Sequence, residues 1–306
     1  MSRLARLLCV GEKNSDMNSD KKKKAKTRRI ITNILMVICA AVFVICAVYL
    51  IKYYAASKKS EDTYSSLREL IDTGEDMPVD LSSAVFEEET AEGGKADGKK
   101  DVAKYFTEVN GKKVYKKYAA LYEKNPDFIG WLTLYDTVID YPVMQTPGDE
   151  EKYLHLDFDG NYSSAGTPFA DTDSSIEPAS DNIIIYGHNM NTKKMFYELT
   201  NYDDEEFYKN HKTIIFDTIY GPGEYEVVAA FRTQAYPKET TGVFKYYEFF
   251  NAESKEDFDA YIESCRALTP YAMDSTAVYG DKLITLSTCA YHSETGRFVV
   301  VAKRIR

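Results

Sequence analysis

One apolar run dominates the chain. Residues 30–51, IITNILMVICAAVFVICAVYLI, hold no charged side chain over 22 positions. At about 1.5 Å rise per residue a helix of that length spans roughly 33 Å, enough for the hydrocarbon of a bilayer. From about Lys112 the apolar residues come instead in short segments: GWLTL, VIDYPVMQ, NIIIYGH, KTIIFDTIY, GEYEVVAAFRT, KLITLSTC and RFVVVAKRI. Turn residues separate most of them, which predicts a mostly antiparallel sheet or barrel. Two helical stretches are also predicted. In the first, Val114, Tyr118, Leu121 and Tyr122 recur at i, i+4, i+7 and i+8. Asn125-Pro126 closes it, because the residue before proline disfavours helical backbone. The second, residues 254–268, opens on Ser254-x-x-Asp257, close to a capping box, and sets Phe258, Ile262, Cys265 and Leu268 on one face.

Charge sharpens the reading of the apolar run. Residues 1–29 hold ten Lys and Arg against three Asp and Glu, leaving 28 basic and 45 acidic residues for the rest. An acidic body argues against nucleic acid as partner, since phosphate binding needs a basic face on the folded part. The basic head includes KKKKAKTRR immediately before the run, and the positive-inside rule keeps such a segment in the cytoplasm. A cleaved signal peptide, with YAAS as cleavage site, is the rival reading. Signal-peptide apolar cores run about 7–15 residues, so the length favours an uncleaved anchor. The expected organisation is a cytoplasmic tail (1–29), a transmembrane anchor (30–51), an extracellular stalk (52–111) and a folded extracellular domain (112–306). Within the stalk, EEETAEGGKADGKKD at 87–101 is charged and without apolar period, and reads as linker.

Cysteine use then narrows the chemistry. By this topology Cys9 is cytoplasmic, Cys39 and Cys46 lie in the membrane, and only Cys265 and Cys289 are outside. That is too few for a disulfide-built scaffold. Cys265 sits on the apolar face of its helix and reads as core. Cys289 ends the apolar strand LITLSTC and is followed by the polar AYHSETG. Two readings stand: a core thiol that ends a strand, or a nucleophile. A nucleophilic cysteine needs an accessible thiolate, a proton donor for the leaving amine and a stabiliser of the oxyanion. Four histidines are available. His188 closes NIIIYGH at a strand end, His292 follows Cys289 by three residues, and His155 and His211 lie in polar contexts that read as solvated. Arg297 begins the strand hairpinned to that of Cys289, so the two are possible cross-strand neighbours. A surface charge opposite Glu294 is the other reading of Arg297. Periodicity leaves both open.

The segments TLSTC, YGHNM and GRFVVVAK resemble the cysteine, histidine and arginine motifs of the sortases, membrane-anchored cysteine transpeptidases of Gram-positive bacteria. The likeness extends through NPDFIGWLTL, IDYPVMQ and EKYLHLDFDGNYSSAGTPFAD and covers about residues 112–306. The helix before NPDFIGW and the late helix at 254–268 resemble class B. The resemblance implies a mostly β fold: an eight-stranded sortase-type β-barrel with an N-terminal helix and a late inserted helix, preceded by one transmembrane helix. It implies Cys289 as nucleophile, His188 as general acid and Arg297 as hydrogen-bond donor to substrate backbone or oxyanion, with no cofactor and no metal. The implied partners are secreted proteins bearing a C-terminal sorting motif and an amine on a peptidoglycan precursor. Ser287 and Thr288 read equally as substrate-groove residues and as strand-end hydrogen-bonding groups. Position 290 is Ala where some class B members carry an acidic residue, leaving Glu294 as the nearby carboxylate. Three rivals are a pilus-polymerising sortase with a lysine acceptor, an L,D-transpeptidase-like enzyme and a non-catalytic membrane-tethered binding module. The second would show His-Gly-Cys around its nucleophile, whereas here STC precedes AYH.

Overall fold

A computed structural model describes residues 3–71, 77, 102–290, 293 and 295–306. The expected linker at 87–101 lies outside them, as do His292 and Glu294. The chain forms two compact units, Met1–Ala56 and Ser57–Arg306. The first is part of one helix, α1 (Arg3–Arg68). Among the described residues, Lys26–Ala55 is the one stretch of helix long and apolar enough to cross a membrane. Leu35, Phe43 and Ile45 are all exposed on it. Apolar residues all round a helix suit lipid rather than water.

The second unit is built on a closed barrel. A small hairpin precedes it, β1 (Phe106–Val109) with β2 (Lys112–Tyr115). Then come α2 (Ala119–Lys124), β3 (Phe128–Thr133), β4 (Asp140–Met144), β5 (Phe169–Ala170) and β6 (Asn182–Tyr186). The chain continues through α3 (Glu205–Asn210), β7 (Thr213–Thr218), β8 (Glu224–Gln234), α4 (Lys255–Leu268), β9 (Leu283–Cys289) and β10 (Gly296–Arg304). Eight strands close in the order β10-β8-β7-β3-β4-β5-β6-β9. Pairing is antiparallel except between β4 and β5 and between β6 and β9. The second of these parallel pairs builds the site.

Strands β9 and β10 are buried on both faces. Ile284, Leu286, Phe298, Val300 and Ala302 join the large core cluster inside the barrel. Leu283, Val299 and Val301 face outward into a second apolar layer with Phe258, Ile262 and Cys265 of α4. Two-sided burial is why RFVVVAKRI reads as a continuous apolar run rather than an alternation. The Ser254 hydroxyl caps α4 by accepting from the Asp257 N–H at 3.2 Å.

The structure departs from the sequence reading in four places. Val114 belongs to β2 and Tyr118 to a short 3-10 turn, so the first helical stripe starts later than its spacing suggests. All four stripe residues are buried nonetheless. The overlooked signal was Asn110-Gly111, whose φ values of 52° and 77° make the two-residue turn that pairs β1 with β2. Leu268, the last residue of α4, is exposed. The two-residue β5 is too short to show any period. Finally, compact packing starts well before Lys112: Tyr64, Leu67, Tyr105 and Phe106 all join the core.

Candidate active site

Cys289 is the last residue of β9 and is half-buried. The register pairs it with Arg297 on β10. Beyond this pair Ala290 N donates to Gly296 O at 2.9 Å, so Cys289 and Arg297 form a non-hydrogen-bonded pair. Such pairs bring side chains closest, with Cα atoms about 4.5 Å apart. Both residues lie on the outer face of the barrel, in step with Ser287 and its partner Val299. The Arg297 guanidinium is half-buried, and its Nη1 donates to Gly296 O at 3.0 Å and to Thr295 O at 3.4 Å. Both acceptors are backbone carbonyls.

The parallel neighbour brings the histidine. β6 runs beside β9 with Tyr186 opposite Ser287, and Gly187 N continues the ladder by donating to Ser287 O at 3.1 Å. Two positions past the last pair, His188 therefore arrives level with Cys289. Its backbone is held from several sides. The Thr288 hydroxyl donates to Gly187 O at 2.6 Å, Phe196 N to His188 O at 2.8 Å, and Asn189 Nδ2 to Cys289 O at 2.9 Å. Gly187 is required for space: a Cβ there would lie 2.7 Å from the Phe196 ring.

The imidazole is oriented as well. His188 Nε2 donates to Leu154 O at 2.9 Å, which makes Nε2 the protonated nitrogen of the neutral ring and leaves Nδ1 as the basic one. The His155 ring stacks on it, 5.8 Å between centroids at 23°. Burial holds the His188 pKa below its ordinary value and His155 adds to that, while the Leu154 carbonyl opposes them. His155 is itself exposed, as its polar context suggested, but its contact with His188 was not foreseen. His211 stacks on Phe207 at 3.9 Å and lends its Nδ1 to Phe207 O.

Ser287 and Thr288 are both buried with their hydroxyls engaged inside the fold. Thr288 bonds Gly187 as above, and Ser287 Oγ lies 2.6 Å from the Tyr246 hydroxyl. Tyr246 is buried beneath the site, and burial pushes its pKa up to about 12 against the opposing pull of Arg297. Below it Asn182, Thr285 and Tyr261 share further hydrogen bonds along the outer face of β6 and β9. Sequence reasoning missed Tyr246, Asn189 and Leu154. Asn189 stood inside the quoted histidine motif, whereas nothing local marks the other two. Among the described residues no cluster of three or more His, Cys, Asp or Glu side chains could hold a metal ion.

Comparison with known proteins places the fold. The sortase domain family model matches residues 132–305. Sortase B of Listeria monocytogenes is 35% identical over 201 residues, covering 65% of this chain and 78% of the relative. Sortase B of Staphylococcus aureus is 31% identical over 195 residues, 63% and 76% of the two chains. A solved Staphylococcus aureus sortase B–substrate complex superimposes with a TM-score of 0.60 at 25% identity, covering 82% of this chain and 98% of the other. The closed eight-stranded barrel, the family-model match and these relatives establish that the chain belongs to the sortase family, in its class B.

Proposed function

We propose that this transpeptidase anchors secreted proteins to the cell wall by a two-step acyl transfer at Cys289, from a position on the outer side of the membrane. In the first step the Cys289 thiol proton passes to His188, and the sulfur attacks the carbonyl carbon of a peptide bond in a C-terminal sorting signal. The C–N bond then breaks, His188 returns the proton to the departing amine, and a thioester remains. In the second step an amine on a peptidoglycan precursor attacks the thioester. His188 takes the proton of that amine, the C–S bond breaks, and the thiol is regenerated. Arg297 turns its guanidinium from the Thr295 and Gly296 carbonyls to the substrate carbonyl oxygen, where negative charge develops. Thr288 and Ser287 act beneath the reacting groups, holding Gly187 and meeting Tyr246.

One observation supports this reading above the others. Cys289 faces Arg297 across an antiparallel pair, and the parallel pairing of β6 with β9, continued by the Gly187 N–H to Ser287 O bond, carries the chain to His188 beside the end of β9. The lowered pKa of His188 favours a neutral ring that shuttles a proton rather than a fixed cation. The staphylococcal neighbour was solved as a substrate complex, which supports substrate binding by this fold. The apolar helix behind a basic segment supports a single-pass anchor with the N-terminus inside. Added protease should then remove the barrel from intact protoplasts. The central test incubates the chain with a library of sorting-signal peptides and seeks an acyl adduct by mass spectrometry. A hydroxylamine-labile adduct on the peptide containing Cys289 is expected. An adduct confined to Cys265, or binding without any adduct, would leave a non-catalytic module instead.

A further inference from the structure

We propose that the last turns of α1 are part of the catalytic apparatus: through Tyr64 they hold the loop whose Leu154 carbonyl orients His188. The inference rests on the role of His188 given above. Glu61, Tyr64 and Arg68 follow one another at i, i+3 and i+7 and so share one helix face. Each engages the barrel. Arg68 pairs with Asp140, which also accepts from Trp131 Nε1 at 2.6 Å and the Thr133 hydroxyl at 3.1 Å. That contact anchors the helix end. The other two reach the two segments that fix His188.

Tyr64 is buried, with its ring edge-on to Tyr141 at 5.1 Å. Its hydroxyl donates to Gly166 O at 2.7 Å and lies 3.3 Å from Thr167 Oγ1. Thr167 in turn donates its N–H to Tyr153 O at 3.0 Å and its hydroxyl to Leu156 O at 2.9 Å, bracketing Leu154 and His155. Gly166 sits at φ +58°, and a Cβ there would come 2.5 Å from Leu154 O. The strip gripped by Tyr64 thus lies directly against the carbonyl that accepts the His188 N–H. Glu61 pairs with Lys194 in the second segment, which leaves His188 and returns to it at Phe196. A phenylalanine would fill the same space against Tyr141 without this bond, so the hydroxyl can be tested apart from the ring. Removing the hydroxyl leaves the buried Gly166 carbonyl without this donor and frees the strip beneath Leu154.

The test uses the full chain in detergent, labelled with 15N-histidine, with the His188 ring resonances assigned through His188→Gln. In the unaltered chain the Nε2 proton is expected to exchange slowly with solvent, as a bonded proton does. Tyr64→Phe keeps the ring against Tyr141 and should speed that exchange about tenfold. Toward whichever sorting peptide the chain cleaves, kcat should fall about tenfold with KM within about twofold, since a misplacement of about 1 Å costs on the order of 100-fold. Thr167→Val removes the next link and should move both readouts the same way. A lower melting temperature with unchanged exchange and kcat would overturn the proposal, leaving Tyr64 as packing. So would a fall in kcat with the His188 exchange unchanged. The exchange measurement needs no substrate, so it decides the matter even if no peptide is cleaved and the enzymatic reading itself fails.

Discussion

Cys265 lies fully buried in the apolar layer between α4 and the outer face of the barrel, beside Tyr261, whereas Cys289 stands half-buried at the end of β9, paired with Arg297 and level with His188. Both side chains occupy the outer side of the same barrel. Burial pushes the Cys265 thiol well above its ordinary pKa, so at neutral pH it is an inert S–H. The Cys289 side chain emerges where the covering layer ends and the polar loops begin. The residue type sets the available chemistry in both places. What differs is access, and the groups placed within reach.

Substitutions sharpen this contrast, and the largest effect is expected at the nucleophile. Cys289→Ala should abolish both adduct formation and transfer, while Cys265→Ala should retain turnover, as read by peptide cleavage. Loss of activity in Cys265→Ala with the fold intact would break the comparison. His188→Ala should follow, losing about 10²–10⁴ in kcat/KM as a general acid–base does. Arg297→Ala should lose about 10²–10³ in single-turnover acylation, the cost of one oxyanion donor. Arg297→Lys should recover little, because the guanidinium presents two donors at fixed angles and the ammonium is a compact charge. Near-complete rescue by lysine would make the role one of charge alone.

Smaller effects fall on stability. Cys265→Ala should cost about 1–2 kcal/mol by denaturant titration, through lost packing in the second apolar layer. His188 contributes a pH dependence whose sign follows from its lowered pKa. Between the ordinary value of 6.5 and the lower folded value, the unfolded chain binds more protons than the folded one. Stability should therefore fall as the pH drops through that window, and His188→Gln should flatten the slope. An unchanged slope in that variant would mean that His188 ionises as freely folded as unfolded.

The same contrast explains what could be read in advance. All seven apolar segments became barrel strands because their length and bounding turn residues are local properties. Cys265 was legible as core from the face it shares with Phe258 and Ile262. Cys289, His188 and Arg297 stood among the candidates, and the Cys289–Arg297 hairpin was foreseen, but only resemblance singled out His188, which comes to β9 through a parallel pairing between strands about a hundred residues apart. Nothing in either strand announces that pairing. Tyr64 and Tyr246 were invisible for the same reason: a hydroxyl that reaches a distant carbonyl or serine leaves no periodic trace. Val114 was misassigned because a buried strand residue happened to fall on a helical interval.

The order of strands around the barrel also bears on how the chain comes to be active. β10 follows every other strand in the chain, yet it lies between β8 and β9 and completes the ring. Made after the other barrel strands, it closes the ring and brings Arg297 with it. Until it docks, β9 presents Cys289 from an unpaired edge; its hairpin with β10 is local, whereas the β8–β10 pairing that closes the ring joins residues such as Thr233 and Arg297 and forms more slowly. A chain truncated before Gly296 is therefore expected to keep Cys289 but to lack both the closing strand and Arg297, so peptide cleavage should report closure of the ring rather than the presence of the thiol.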